Sequence, residues 1–448
     1  MQSGIWRRLA LVVALAAGAL AGAAQEAKLS PALPLAHVDN GPNSAAAQQA
    51  HTVVLVSLDA FRWDYAVRDH ATHLLAIGKE GVWAPEGMIP SYPSVTYPNH
   101  YSMVTGLYPE HHGIVANHFY DPDRGAAFAA SDAKVVTDGS WYGGVPLWSL
   151  AEKQGMRTAC MFWPGSQAEI AGRRPTWYAR FNGDKESDAL DEARIDDAIA
   201  LLKLPAAERP HFIAIHYLQP DLAGHKYGPD APETRAAIKK MDAMVGKLKA
   251  ALDKTGLPID LVVVSDHGMA KVDGGWITLD AFANLNGFET VDALLYGKTE
   301  ADRQRVYNQL KHVSSQFMVY RRKDVAPELH FSESAREGDP VIVATGRYAI
   351  RARGPAAGKP DVLPLAGLHG YDPRIVPEMK AIFFAEGPDI VQGKTVLPFE
   401  NVNLYPWMAY MLGLIAAQSD GNLNILAGTL RDNGGPVIER KEAGQKSE

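Results

Sequence analysis

From His51 onward, short apolar runs alternate with amphipathic stretches, and that alternation sets the first expectation. VVLVSL (53–58), RTACMFW (157–163), HFIAIHYL (211–218) and DLVVVS (260–265) read as β-rich strands. Helical patterns follow them in ATHLLAIGKEG (71–81), DEARIDDAIALLKL (191–204) and APETRAAIKKMDAMVGKLKAALDKTG (231–256). MKAIFFAEG, read as a further strand, and the helical NVNLYPWMAYMLGL come near the end. Such alternation predicts an α/β fold, a mainly parallel sheet with helices on both faces. Between Gly268 and His369 the pattern changes to short strands with basic residues, QFMVYRRKD, ELHF and PVIVATGRYAIRARG, which predict a smaller αβ insertion at about 275–360.

The two ends fit neither period. Residues 1–23 place Arg7 and Arg8 before an apolar run that closes on Ala21-Gly22-Ala23, a secretory signal pattern. The run is too short for the ~20 residues of a spanning helix, so no membrane span is expected after cleavage. Residues 24–50, with Pro31, Pro34 and Asn40-Gly41-Pro42, read as a linker, and 416–448 as a C-terminal extension and tail. The catalytic domain is expected over 51–415.

Composition narrows the class. At 448 residues, 47% hydrophobic and 21% charged, the chain suits one large α/β domain. Loss of residues 1–23 moves the net charge from −7 to −9, which argues against a stable nucleic-acid complex. An anionic substrate then needs local positive charge, and bound metal ions would supply it. Cys160, the only cysteine, lies in the apolar run TACMFW and reads as a buried small hydrophobe.

Candidate chemistry sits where strands end. Asp59 closes VVLVSLD, Asp266 and His267 close LVVVSDHG, and Asp221 and His225 lie four apart in QPDLAGH. In open α/β sheets, ligands bind beyond the carboxyl ends of the strands. Gly224 suggests that Asp221 and His225 sit on a turn rather than a helix. Asp266 and His267 would face opposite ways on a regular strand, so both reach one place only if the strand stops before them. Carboxylates and imidazoles in this combination suit zinc-class ions, and two such ions can clamp a phosphoryl group. A hydroxyl is available in PSYPSVTYPNH, where Ser91, Ser94 and Thr96 stay open as nucleophile or as helix cap. His100 reads as capping or packing, and His111 and His112 as loop residues.

VVLVSLDAFRWDY, SYPSVTYPNHYSMVTGLYPEHHGIVANHFYD, QPDLAGHKYGP, VVVSDHGMA and GLHGYDP, in that order, resemble the nucleotide pyrophosphatase/phosphodiesterase family of the alkaline phosphatase superfamily, bacterial type. The resemblance covers about residues 51–415 and implies an alkaline phosphatase-like fold with two Zn2+. It implies Thr96 as the nucleophile, with Asp59, Asp266, His267 and Thr96 around one zinc and Asp221, His225 and His369 around the other. Asn117 is the implied hydrogen-bond donor to a phosphate oxygen. Double displacement through a phospho-threonine follows, on a small-molecule phosphodiester in the periplasm or outside the cell.

Two superfamily alternatives are disfavoured by residues. No Cys or Ser begins the sulfatase motif, and no Lys or Arg between Glu80 and Arg124 stands ready for the extra charge of a monoester. Substrate choice stays open. The resemblance implies base stacking between Tyr97 and the residue at 216, yet that residue is His216, with Tyr217 beside it on the other face. Choline-type or lysophospholipid diesters are the alternative, with Trp163, Trp177 or Tyr178 as pocket walls. A non-catalytic metal- or phosphate-binding protein is the alternative from another class.

Overall fold

The computed structural model describes residues 27–181, 187–355, 361 and 365–431. The signal pattern at 1–23 and the tail beyond 431 lie outside the described residues. The main sheet has nine strands: β1 (Ala36–His37), β2 (Thr52–Leu58), β3 (Val82–Trp83), β4 (Thr158–Met161), β5 (Trp177–Ala179), β6 (Phe212–Tyr217), β7 (Ile259–Val264), β8 (Phe383–Glu386) and β9 (Lys394–Thr395). Their spatial order is β1-β5-β4-β6-β2-β7-β8-β3-β9. The central five, β5-β4-β6-β2-β7, are mutually parallel. β8 runs antiparallel to β7 and β3, and β1 antiparallel to β5.

Two cores form because successive strand side chains point to opposite faces. Val53 and Leu55 of β2 enter one core, and Val54 and Val56 the other. β7 divides the same way, Val262 and Val264 against Leu261 and Val263. The helices α1 (Thr72–Glu80), α3 (Asp188–Leu202) and α5 (Pro232–Asp253) cover the second face. The first is covered by α2 (Thr96–Thr105) and α6 (Leu404–Met411). Residues 276–351 build small two-stranded sheets around a separate core that includes Leu279, Leu295, Val306 and Leu310. ELHF, expected as a strand, instead forms a 3-10 turn over Pro327–Leu329 with His330 in the left-handed region at φ 47°.

Residues 27–50 do not trail as a linker. Ser30 N–H donates to Asp197 at 2.5 Å, Leu33 is buried, and Asn43 donates through its amide to Ala206 and Arg209 carbonyls. Edge pairing and buried polar contacts fix this arm, neither of which leaves a hydrophobic period.

Glu152 closes the far side of β4 and β5. Its Oε1 accepts from the amide and hydroxyl of Thr158 and of Thr176, all at 2.8–2.9 Å. Glu152→Ala would leave two buried amides unpaired, a cost of roughly 3 kcal/mol. A thermal melt is expected to fall by several degrees, and an unchanged Tm would show those amides finding other partners.

Candidate active site

The carboxyl ends of the parallel strands bring the candidate side chains together. β2 stops at Leu58 and β7 at Val264, so Asp59, Asp266 and His267 lie on the turns just beyond. Their ligand atoms lie within 4.8 Å of one another, and all three residues are buried. Asp221 and His225 fall on a short helix, α4 (Asp221–Tyr227), rather than on a turn. Gly224 lies within this helix, with the Met269 side chain about 3.0 Å from where a Cβ would sit, so a larger residue would have to press Met269 aside. Helical spacing of four then sets both side chains on one face. His369, from a loop 144 residues away, completes a second group within 4.8 Å.

Hydrogen bonds orient the imidazoles. His225 Nδ1 donates to Gly367 O at 2.9 Å, His369 Nδ1 to Ser94 O at 3.0 Å, and His267 Nδ1 to Gly268 O at 2.9 Å. A carbonyl can only accept, so each Nδ1 carries the proton and each Nε2 turns a lone pair toward the acids. His225 and His369 present these nitrogens 3.1 Å apart, and the His267 and His369 rings stack at 3.7 Å. Two facing lone pairs repel unless a cation lies between them or near them. Asp221 Oδ1 and Asp266 Oδ2 are buried, and what faces them is imidazole Nε2, His225 at 3.4 Å and His267 at 3.0 Å, which as a lone pair donates nothing. The donor set therefore fits metal ions of the zinc class.

Charge follows the same geometry. Burial pushes the Asp266 carboxyl up, but positive charge at the adjacent His267 and His100, carried by their protons while no cation is bound, outweighs it and holds the group well below the usual carboxylate range. Burial raises Asp221 and, with His267 and His225 beside it, drives His369 well below the usual imidazole range.

Of the three hydroxyls, Ser91 donates to Asn401 Oδ1 and Ser94 to Tyr371 O, both facing away. Thr96 Oγ1 lies 3.4 Å from His267 Nε2 at the first turn of α2. None of them caps the helix: Val95 holds the cap position without a side-chain bond, and Asn117 Oδ1 accepts from Tyr97 N–H at 2.9 Å. With its oxygen engaged, Asn117 has its NH2 free to serve the cavity it lines.

That cavity, about 1120 Å³, opens beside Asn117 between the N-terminal arm and the segment after β5, with Leu33, Pro34, Tyr178, Arg180 and Phe181 on its walls. Tyr97 and His216 do not form its stacking surfaces. Tyr97 is 1% exposed and His216 fully buried, because Phe181 packs between them, edge-on to Tyr97 at 5.4 Å and near-parallel to His216 at 5.6 Å. His216 instead reaches Asp59 Oδ2 through Nε2 at 3.1 Å. Trp163 is a core residue bonded to His100 O, Trp177 is buried, and Tyr178 alone of the three expected walls lines the cavity. His100 spans from Thr96 O to Ser57 Oγ beneath the site. His112, expected as a loop residue, is fully buried on Ser102, where burial pushes it down to about 3. Phe181 gave no signal in sequence, since nothing in its neighbourhood repeats.

The fold and the paired acid–imidazole groups define a hydrolase with an alkaline phosphatase-like architecture. A family model described as type I phosphodiesterase / nucleotide pyrophosphatase matches residues 53–372. The chain is 34% identical over 387 residues to an uncharacterized pyrophosphatase/phosphodiesterase of Schizosaccharomyces pombe, covering 83% of this chain and 78% of the relative. It is 30% identical to ectonucleotide pyrophosphatase/phosphodiesterase family member 7 of Rattus norvegicus, across 87% of this chain and 89% of that one. Against family member 1 of Rattus norvegicus, 33% identical, the match spans 86% of this chain and 44% of the relative. Murine ectonucleotide pyrophosphatase / phosphodiesterase 5 superimposes with a TM-score of 0.77 at 28% identity, covering 85% of this chain and 100% of the solved one. An inactive form of that murine protein has been solved in complex with AMP. This chain belongs to the type I phosphodiesterase / nucleotide pyrophosphatase family. Among the described residues no helix is long and apolar enough to cross a membrane.

Proposed function

We propose that this chain is an exported, zinc-dependent phosphodiesterase / nucleotide pyrophosphatase that works through a phospho-threonine at Thr96. The observation that carries it is the set of three imidazoles, each with Nδ1 tied to a carbonyl and Nε2 turned toward unpaired carboxylate oxygens beside one hydroxyl. Asp59, Asp266 and His267, with Thr96, would hold one ion, and Asp221, His225 and His369 the other. Bound there, the two ions would supply positive charge that eases loss of the hydroxyl proton and offsets charge on the phosphoryl oxygens.

The chain's own residues do the rest. The first turn of α2 sets the Thr96 oxygen at a helix N-terminus, where an anionic group is favoured. That oxygen attacks phosphorus, the Thr96 O–P bond forms and the ester O–P bond opposite breaks, releasing the alcohol or phosphate leaving group. Water then attacks the same phosphorus and frees Thr96, so configuration at phosphorus is retained. Asn117, held by Tyr97 N–H, would donate from its NH2 to a non-bridging oxygen as charge develops. His216 Nε2 lies 3.1 Å from Asp59 Oδ2, behind the site.

Diesters rather than monoesters suit a site whose nucleophile loop, from Gly81 to Asp123, carries no Lys or Arg. A nucleotide-type substrate is supported by the relatives' names and by the murine neighbour solved with AMP. The aromatic face offered to a base is that of Phe181, with Arg180 at the rim, in place of Tyr97 and His216.

A substrate panel tests the reading. Purified protein supplied with zinc is expected to hydrolyse the nitrophenyl ester of a nucleoside monophosphate at least ~100-fold faster, in kcat/KM, than nitrophenyl phosphate, a difference of about 2.7 kcal/mol. Faster turnover of nitrophenyl phosphorylcholine would reassign the substrate, and faster monoester turnover would overturn the diesterase reading.

A further inference from the structure

Helix α2 begins at Thr96, and its first turn is held from within the core. One turn further on, His100 Nδ1 donates to Thr96 O at 2.9 Å, and the same nitrogen lies 3.5 Å from Asp266 Oδ2. On the other side of the ring, Nε2 lies 2.8 Å from Ser57 Oγ. Ser57 is two residues before Asp59 on β2, and Asp266 is two residues beyond the end of β7. A single imidazole therefore spans the helix that carries the hydroxyl and the two strands that carry the acids of the first metal group.

The ring is locked in this place. It is fully buried, with Trp163 edge-on at 5.0 Å and His216 tilted against it at 4.2 Å. A core histidine needs only shape and partners for its nitrogens, and many polar groups could serve. Here the partner of Nδ1 is the carbonyl of the residue whose hydroxyl lies 3.4 Å from His267 Nε2. Threonine is β-branched and populates few χ1 rotamers, so the placement of its peptide largely sets where Oγ1 points. Displacing a reacting atom by about 1 Å can cost ~100-fold in rate.

We propose that His100 is a positioning residue for the nucleophile: its Nδ1–H fixes the Thr96 carbonyl beside the Asp266 carboxylate and so aims the Thr96 oxygen at phosphorus. This role rests on the reading of Thr96 as the nucleophile. His100 touches neither substrate nor reacting atoms, so its loss should slow the chemical step while metal and substrate binding stay nearly unchanged.

Two replacements separate positioning from packing. An asparagine amide places its nitrogen near the position of Nδ1, whereas a glutamine amide reaches toward Nε2 and fills more of the space left by the ring. The zinc-loaded full chain is assayed on a nitrophenyl diester. His100→Gln is expected to lose about 100-fold in kcat and His100→Asn only ~5-fold, with KM and zinc content close to those of the parent in both. Tm should run in the opposite order, with His100→Gln the higher, because it leaves the smaller void. A kcat for His100→Asn less than about 10-fold above that of His100→Gln overturns the proposal. So does loss of zinc or of a cooperative melt in either variant, which would make the ring a packing element alone. Thr96→Ala, assayed beside them, tests the nucleophile by itself. Retained turnover there sinks that reading, whereas an inactive Thr96→Ala with the two His100 variants alike sinks only the role of His100.

Discussion

Thr96→Ala is expected to lower kcat/KM on a diester by about 10,000-fold, close to 5.5 kcal/mol of transition-state stabilisation, while zinc stays bound. The size follows from geometry. Thr96 Oγ1 is the hydroxyl 3.4 Å from His267 Nε2, whereas Ser91 and Ser94 are tied to Asn401 and Tyr371 and cannot substitute without breaking buried bonds. Removing one oxygen leaves all six acid and imidazole groups in place, so metal content measured alongside activity separates lost chemistry from lost structure. Residual turnover within 10-fold of the parent would mean that water attacks the diester directly and that no phospho-threonine forms.

The second large effect is expected from metal removal. Stripping zinc should take turnover to background and lower Tm, and adding zinc back should restore both. Asp59, Asp266 and Asp221 gather beside imidazoles whose Nε2 atoms carry lone pairs, so the apo site holds like charges and facing lone pairs in a buried volume. Ions held at about 1,000 times their Kd would contribute ~4 kcal/mol to folding, which is the scale of the expected Tm loss. His369→Ala sharpens the test, because it removes one ligand of a single group. Its zinc content should fall by one equivalent with activity down at least ~100-fold, and an unchanged count would place His369 outside the metal centre. Full activity in the presence of chelator would sink the binuclear reading altogether.

Much of this was legible in the chain and some was not, for physical reasons. β2 and β7 announce themselves because strands buried on both faces must be largely apolar at successive positions, and the first carboxylates after them, Asp59 and Asp266, mark where the sheet opens. Periodicity says nothing of His369. Its place depends on contacts distant in sequence, the bond to Ser94 O 275 residues away and the pairing of Gly367–Leu368 with Ala270–Lys271, and only family resemblance singled it out. Gly224 argued for a turn where a short helix forms, because its missing side chain accommodates Met269 rather than a bend. His216 and Tyr97 looked like surface rings and are interior ones, since Phe181, invisible to any pattern, lies between them. The arm at 27–50 resembled a connector because its Pro and Ala residues lack a period, while its anchoring comes from backbone pairing and from Asp197.

That arm has a bearing on how selectivity is inherited. Ala32, Leu33 and Pro34 form one side of the cavity, yet they precede residue 53, where the match to the family model begins. Tyr178, Arg180 and Phe181, on other walls of the same cavity, lie within the matched stretch. On the proposed reading, exchanging residues 27–50 for another segment is expected to change kcat/KM among diesters while Thr96 and its surroundings stay as they are.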